Sequence, residues 1–272
     1  MYTGDMSPRS PYFGVAAPEL GWVPAPRYIL RRAAILRLLA TYPPGLVLEI
    51  GSGSGALLCD LAQRGFSGVG VEQSPEALAI ATQILIAVPA FRVVDKLPEG
   101  ERERYDYVFA FEVLEHIEED QAALETWASY LKPRGILMIS VPAHHRRWSA
   151  TDVWAGHFRR YERTEIDFRV GNAGFDVLAT HSYGWPMSNI IEPIGAWVRS
   201  RLMHGARGNP TTMQDKQSRT DRSGIERTVE IRLYPLYANW FGRAIFSACS
   251  HVQRFLSCAD LGTGYLVLAQ KR

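Results

Sequence analysis

Short apolar runs alternate along this chain with stretches in which apolar residues return every three or four positions. From Arg27 to Thr41, Ile29, Ala33, Leu36 and Ala40 share one face of a 3.6-residue period, which predicts an amphipathic helix with its arginines largely elsewhere. Pro43 and Pro44 stop it. Leu46 to Ile50 reads as a strand, followed by Gly51-Ser52-Gly53-Ser54-Gly55 and a helical pattern from Ala56 to Arg64. Ser67 to Val71 is the next strand, and Pro75 to Ala87 the next helix, with Ser74 as N-cap and Pro75 in its first turn. Strands over Phe91–Val94 and Tyr105–Phe111 precede a helix over Glu119–Leu131, which Pro133 and Gly135 end. Ile136 to Val141 is the most continuously apolar run, as expected of a strand covered on both faces. A helix over Thr164–Ala173 and a strand over Phe175–Tyr183 complete the rhythm.

After Trp185 the pattern changes. Asn189 to Met203 is helical, Gly205 to Arg227 is polar and expected to be mobile, and Leu236 to Leu256 is aromatic and helix-compatible. Tyr265 to Ala269 closes the chain as a strand. Strand–helix alternation predicts an α/β fold with a doubly wound, mostly parallel sheet. The expected organisation is an N-terminal arm (1–26), a sheet domain (27–185), a helical insertion or substrate cap (186–262) and a last strand of the core (263–272).

Composition narrows the function classes. At 47% hydrophobic and 11% aromatic residues the chain can fill a core, which excludes a disordered tail. Thirty basic against twenty-eight acidic residues give a net charge of +2, too little to draw the whole molecule to nucleic acid. Between Arg199 and Arg232, eight basic and four acidic residues give a local excess. No uninterrupted apolar run reaches the roughly 18–20 residues of a membrane span. Met1 to Pro11 has no apolar stretch behind a basic start, and Cys59, Cys249 and Cys258 form no CxxC pair. A cytoplasmic enzyme with reduced thiols is therefore expected.

The chemistry starts at the glycine loop. Glycine lets the backbone adopt the turn and come close to a ligand, and the following helix offers unpaired N–H groups to an anion. Glu72 ends the next strand, 21 residues after Gly51, where a carboxylate can accept from both hydroxyls of a ribose. A nucleoside-type cofactor follows. The glycines fall as GxGxG, and the dinucleotide fingerprint is GxGxxG, which argues against NAD without deciding the matter.

Four ordered motifs carry a resemblance. Val47-Leu-Glu-Ile-Gly-Ser-Gly-Ser-Gly55, Gly70-Val-Glu-Gln-Ser74, Tyr105-Asp-Tyr-Val-Phe-Ala-Phe-Glu-Val-Leu-Glu-His-Ile117 and Leu131-Lys-Pro-Arg-Gly-Ile-Leu-Met-Ile-Ser-Val-Pro142 resemble the class I S-adenosylmethionine-dependent methyltransferases. Arg134 stands where a glycine is usual, and Glu49 where aspartate is commoner. The resemblance implies S-adenosylmethionine as cofactor and a seven-stranded Rossmann-like sheet whose last strand, Tyr265–Ala269, is antiparallel. It also implies a cofactor site of Glu49, Gly51, Ser52, Gly53, Gly55, Glu72, Gln73, Asp95, Phe111 and Glu112. In it the glycine loop holds the methionine part, Glu72 the ribose, and Gln73 and Asp95 the adenine, while Phe111 and Glu112 face the sulfonium. Arg27 or Tyr28 would close over the cofactor from the N-terminal helix.

Methyl transfer to oxygen also needs a base, and histidine titrates in the right range. His144, His145 and His157 follow the fifth strand, on the side where open α/β sheets bind ligands, with Glu112 helping to place the acceptor. Gly156-His157-Phe158-Arg159-Arg160-Tyr161 resembles a subgroup found beside glycan, lipid or natural-product pathways. Arg146-Arg147 and Arg159-Arg160 read either as a clamp for an anion or as braces of the loop. Glu112, Glu115 and His116 resemble the divalent-ion ligands of quinone-biosynthesis O-methyltransferases and plant small-RNA 2′-O-methyltransferases. Many relatives carry these letters without an ion, and no metal is expected here.

Trp197, Tyr234, Tyr237, Trp240, Phe241, Phe246 and Phe255 of the insertion either pack it onto the sheet edge or wall an apolar acceptor pocket. A weak contact with an anionic membrane is a third use for a basic, aromatic surface. The expected function is O-methylation of a small, hydrophobic or pathway-intermediate acceptor with a histidine base. The alternatives are a catalytically inactive S-adenosylmethionine-binding partner protein and a C- or N-methyltransferase. Phe111-Glu-Val-Leu stands where nitrogen-directed enzymes often have Asp/Asn-Pro-Pro-Tyr/Phe.

Overall fold

The computed structural model of the chain describes residues 9–10, 12–205 and 228–272. Seven strands form one sheet: β1 (Leu46–Ile50), β2 (Ser67–Val71), β3 (Phe91–Val94), β4 (Tyr105–Phe111), β5 (Leu131–Pro142), β6 (Phe175–Tyr183) and β7 (Gly264–Lys271). Their order is β3-β2-β1-β4-β5-β7-β6. The first five strands pair in parallel, with Leu48 opposite both Val69 and Val108, and Val108 opposite Leu137. β7 inserts antiparallel between β5 and β6, with Val267 opposite Ile139 and Thr180. The doubly wound sheet with a reversed last strand is thus as the motifs imply. From β1 the chain winds outward through β2 and β3, then returns to lay β4 on the other side of β1. The loops after β1 and β4 therefore lie side by side at the crevice where such sheets bind ligands.

The helices are α1 (Pro26–Leu39), α2 (Ala56–Ala62), α3 (Pro75–Ile84), α4 (Asp120–Tyr130), α5 (Ala150–Ala155), α6 (Arg163–Asn172), α7 (Met187–Gly205), α8 (Thr228–Tyr237) and α9 (Trp240–Phe255). Side chains alternate between the sheet's two faces, and both faces are covered. Phe109, Met138 and Leu266 join the layer with Ile35, Leu57 and Leu61, while Val108, Leu137 and Val267 join the layer with Trp127 and Ile166. Cover on both sides explains why β4 and the Ile136–Val141 part of β5 are apolar at nearly every position.

Three local outcomes differ from the periodicity. α1 is buried on more than one side, with Ala33 half-buried and Ala40 exposed, because α9 covers a second face of it. Arg32 is buried there and makes two hydrogen bonds of 2.6 Å to Asp60. α5 is too short for a helical period to reveal; Ser149 and Asp152 form the capping box that starts it. The run 236–256 is not one helix: the chain breaks between α8 and α9, where the Asn239 side chain accepts the Gly242 N–H at 3.0 Å. Nearly all of the stretch expected to be mobile lies outside the described residues. No helix among those described is long and apolar enough to cross a membrane.

Candidate active site

The β1–α2 loop needs its glycines. Gly51, Gly53 and Gly55 have φ of 67°, 55° and 71°, in the left-handed region that side chains disfavour. A Cβ on Gly51 would lie 2.4 Å from Val113, so the β1 and β4 loops touch there, whereas one on Gly53 would meet nothing within 4 Å. The loop opens at Gly53. Across that opening Glu72 accepts the Gly53 N–H at 2.8 Å and the Ser74 N–H at 2.9 Å. Its carboxylate thus ties the glycine loop to the start of α3, and the cradle between them suits a ribose and its neighbours. Ser52 turns inward onto Gly70, and its N–H donates to Val71 O at 3.0 Å. Gln73 and Asp95 are exposed at the ends of β2 and β3. Glu49 is buried on β1, with Oε2 lacking a hydrogen-bond partner. Burial pushes its carboxyl up to about 8, against the pull of Arg31.

At the end of β4, Phe111 is buried and Glu112 has a φ of 60°. That strained backbone is held by the Glu112 N–H bond to Ser140 O at 2.9 Å. The Glu112 carboxylate accepts from Tyr183 Oη at 2.6 Å and Ser140 Oγ at 3.1 Å, and pairs with Arg27 at 2.7 Å. Burial alone would raise its pKa; Arg27, Arg31 and Tyr183 outweigh that and hold it at about 2. Glu112 is therefore a fixed anion at neutral pH. Arg27 also reaches Glu192 of α7 at 3.0 Å, so one guanidinium joins α1, the end of β4 and the insertion. Tyr28 points elsewhere, its ring edge-on to Trp22.

Next to Glu112 lies a second, drier group. Glu115 is fully buried, and neither of its carboxyl oxygens has a hydrogen-bond partner. Burial and the charge of Glu112 push its pKa well up. His157 Nε2 lies 4.0 Å from Glu115, and the His116 ring stands edge-on to the His157 ring with centroids 4.7 Å apart. Burial, with His157 beside it, lowers His116 to about 3, so it is neutral. Asp152 accepts from His157 Nδ1 at 3.0 Å and from Arg160 Nε at 2.7 Å. The Asp152 bond at Nδ1 orients the ring and turns Nε2 toward Glu115.

The other two histidines go elsewhere. His144, buried with a φ of 65°, has Nδ1 3.3 Å from both Glu162 and Tyr265 Oη, and Nε2 3.7 Å from Asp260. His145 is exposed and pairs with Glu165 of α6 at 2.8 Å. Arg159 and Arg160 act as braces: they bond Glu118 O, Asp120, Ala143 O and Asp152. Tyr161 Oη donates to Asp120 at 2.9 Å. Four contributors escaped the sequence reading of this centre. Asp152 was marked only by its place three residues after Ser149; the roles of Tyr183, Ser140 and Glu192 carried no local signal.

The methyltransferase domain family matches residues 26–180, more than half of the chain. A ubiquinone biosynthesis O-methyltransferase of Alkalilimnicola ehrlichii is 30% identical over 99 residues, 35% of this chain and 40% of that protein. The aligned part thus spans about two fifths of that relative's length. Among solved structures, a candidate sarcosine dimethylglycine methyltransferase from Galdieria sulphuraria aligns over 97% of this chain and 94% of its own, with a TM-score of 0.55 and 12% identity. The [4+2]-cyclase SpnF aligns over 97% and 88%, with a TM-score of 0.52 and 17% identity. These two show the fold, and the second shows that the fold also serves other chemistry. The matched family together with the cradle between Gly53 and Glu72 leads to one conclusion: the chain belongs to the methyltransferase domain family, and its cofactor is S-adenosylmethionine.

Proposed function

We propose that the protein methylates an oxygen of a small molecule, with His157 as the base. The observation that carries this reading is the Asp152–His157 pair, whose Nε2 lies 4.0 Å from the buried Glu115, beyond the end of β4. When bound, S-adenosylmethionine supplies an electrophilic methyl on a sulfonium. The glycine loop and Glu72 hold the cofactor, with Gln73 and Asp95 on the adenine side. Glu112, clamped by Arg27 and Tyr183, is an anion that positions; at a pKa of about 2 it is too weak a base to take a proton. His157 Nε2 would take the acceptor's hydroxyl proton, and Asp152 would stabilise the imidazolium. His144 and His145, engaged at the rim by Glu162, Asp260 and Glu165, are set aside as bases. The O-methyltransferase activity for which the Alkalilimnicola ehrlichii relative is named supports oxygen as the acceptor atom.

The test is transfer of isotope-labelled methyl to a panel of phenols and other hydroxylated acceptors, with His157→Gln beside the native chain. The expected loss is about 10²–10⁴-fold in kcat, the usual worth of a general base, with cofactor affinity unchanged. Unaltered turnover in His157→Gln would remove the base assignment. Cofactor binding without turnover on any acceptor would favour an inactive binding partner, and methylated carbon or nitrogen would redirect the acceptor class.

A second reading rests on the two orphaned oxygens of Glu115. Ligand atoms of Glu115, His116 and His157 all lie within 4.8 Å of one another, so the third donor beside them is His157 and not Glu112. The Asp152–His157 bond is the kind of outer support that orients a metal-bound imidazole. Two nitrogens and a carboxylate suit zinc, manganese or iron better than magnesium. Metal analysis of the purified protein, before and after chelation, separates this reading from a metal-free base.

A further inference from the structure

Seventeen large hydrophobic side chains are exposed among the described residues, and twelve of them belong to 186–262. They are ordered. On α9, Phe241, Ile245, Ala248, Val252 and Phe255 are exposed at alternating steps of four and three, which places them within an arc of about 80° at 100° per residue. The face that packs on the body is a different one. There Phe246 meets Phe13 edge-on, and Gln253 donates to Leu30 O at 2.9 Å. The outward stripe is therefore a second apolar face and not the margin of the first. α7 repeats the arrangement with Ile190, Ile194 and Trp197, and Arg201 lies on the Trp197 ring at 4.3 Å. Trp240 and Phe255, at opposite ends of α9, are 75% and 82% exposed.

Something covers such a surface, because single domains rarely leave one this large in water. By composition, residues 206–227 hold few apolar side chains, Ala206, Met213 and Ile225 beside Pro210. Charge distinguishes the remaining occupants. Residues 186–262 hold ten basic and six acidic side chains, against twenty and twenty-two in the rest of the chain. The positive charge of the protein thus resides in the segment that carries the exposed aromatics. Apolar stripes on separate helices, tryptophans with arginine stacked on one of them, and local positive charge together match a lipid interface better than one helical seam.

We propose that the insertion docks on an anionic lipid surface through the outward faces of α7 and α9, as a peripheral contact. The aromatic side chains enter the headgroup boundary, and the arginines meet lipid phosphates or carboxylates. Because this surface is separate from the glycine loop, its failure would leave the methyl-transfer reading untouched.

Co-sedimentation of the full chain with phosphatidylcholine vesicles, with and without phosphatidylglycerol, tests it. The comparison variant is the triple substitution Trp240→Ser, Phe241→Ser, Phe255→Ser, with S-adenosylmethionine affinity as its folding control. The expected result is binding to the anionic vesicles that weakens with salt and falls at least about tenfold in the triple variant, given the area each aromatic buries. No binding, or equal binding to neutral vesicles, would overturn the proposal. A lipid-free dimer that the triple variant dissolves would overturn it in favour of a second copy of the chain.

Discussion

Two groups of histidine and carboxylate flank the loop that follows β5. Both contain an imidazole beside two acids, yet the acids occupy different media. In the inner group, Asp152 and Glu115 are fully buried, and His157 bonds only one of them. In the outer group, the Glu162 and Asp260 side chains are 44% and 47% exposed, and His144 has neighbours at both nitrogens. Water screens the outer charges, whereas the inner ones act at short range in a dry space where a proton or a cation has few other partners. Equal letters thus become a candidate reaction centre in one place and a rim in the other.

The largest expected effect breaks that comparison directly. His157→Gln should abolish most turnover in a single-turnover assay, His144→Gln should cost less than about tenfold through loop packing, and His145→Gln should change nothing measurable. Equal losses at His144 and His157 would mean that the rim group reaches the acceptor. Second in size is Glu72→Ala, which removes the tie between the glycine loop and the start of α3 and, in the proposed reading, the ribose acceptor. Calorimetry should show S-adenosylmethionine binding weakened by at least about tenfold, the worth of one or two charged hydrogen bonds. Third, Arg27→Ala leaves Glu112 without its main counter-charge and should lower stability by about 1–3 kcal/mol in urea unfolding. Arg27→Lys should recover part of this, because a lysine can pair with Glu112 but not bridge to Glu192 in the same geometry.

The smallest effects are in pH dependence, and their signs oppose each other. Glu112 sits near 2 when folded and returns to the ordinary carboxylate range when unfolded. The unfolded chain therefore binds more protons as the solution is acidified, and stability falls as pH drops from about 4.5 toward 2. Glu49 is raised to about 8. Here the folded chain holds the extra proton, so stability falls as pH rises from about 4.5 to 8. Denaturation midpoints across that upper window should flatten in Glu49→Gln, and an unchanged slope would mean that another group titrates there.

Much of the sheet was legible. β1, β2, β3, β4 and β6 run over the stretches that the apolar runs mark, because strands buried on both faces admit few polar residues. β5 is longer than its apolar run, extending back through Lys132-Pro133-Arg134 at the exposed end of the sheet, where nothing demands apolar side chains. The insertion was less legible. Its aromatics read equally as core, pocket wall or membrane contact, and Trp197, Trp240, Phe241 and Phe255 prove exposed, which sets the core reading aside for these four. Hydrophobicity says that a side chain prefers cover; only the fold says whether the chain itself provides it.

The sequence by itself determined the strand–helix rhythm, the glycine turn and the acid after β2, since each depends on residues within one or two elements. Which histidine meets which acid was decided by tertiary structure. Asp152, His157, Glu115 and Glu112 come from two segments, and the β4 and β5 loops must lie side by side before they can meet. Their ionisation was decided there too, because burial and the guanidinium of Arg27 act through space and leave no periodic trace along the chain.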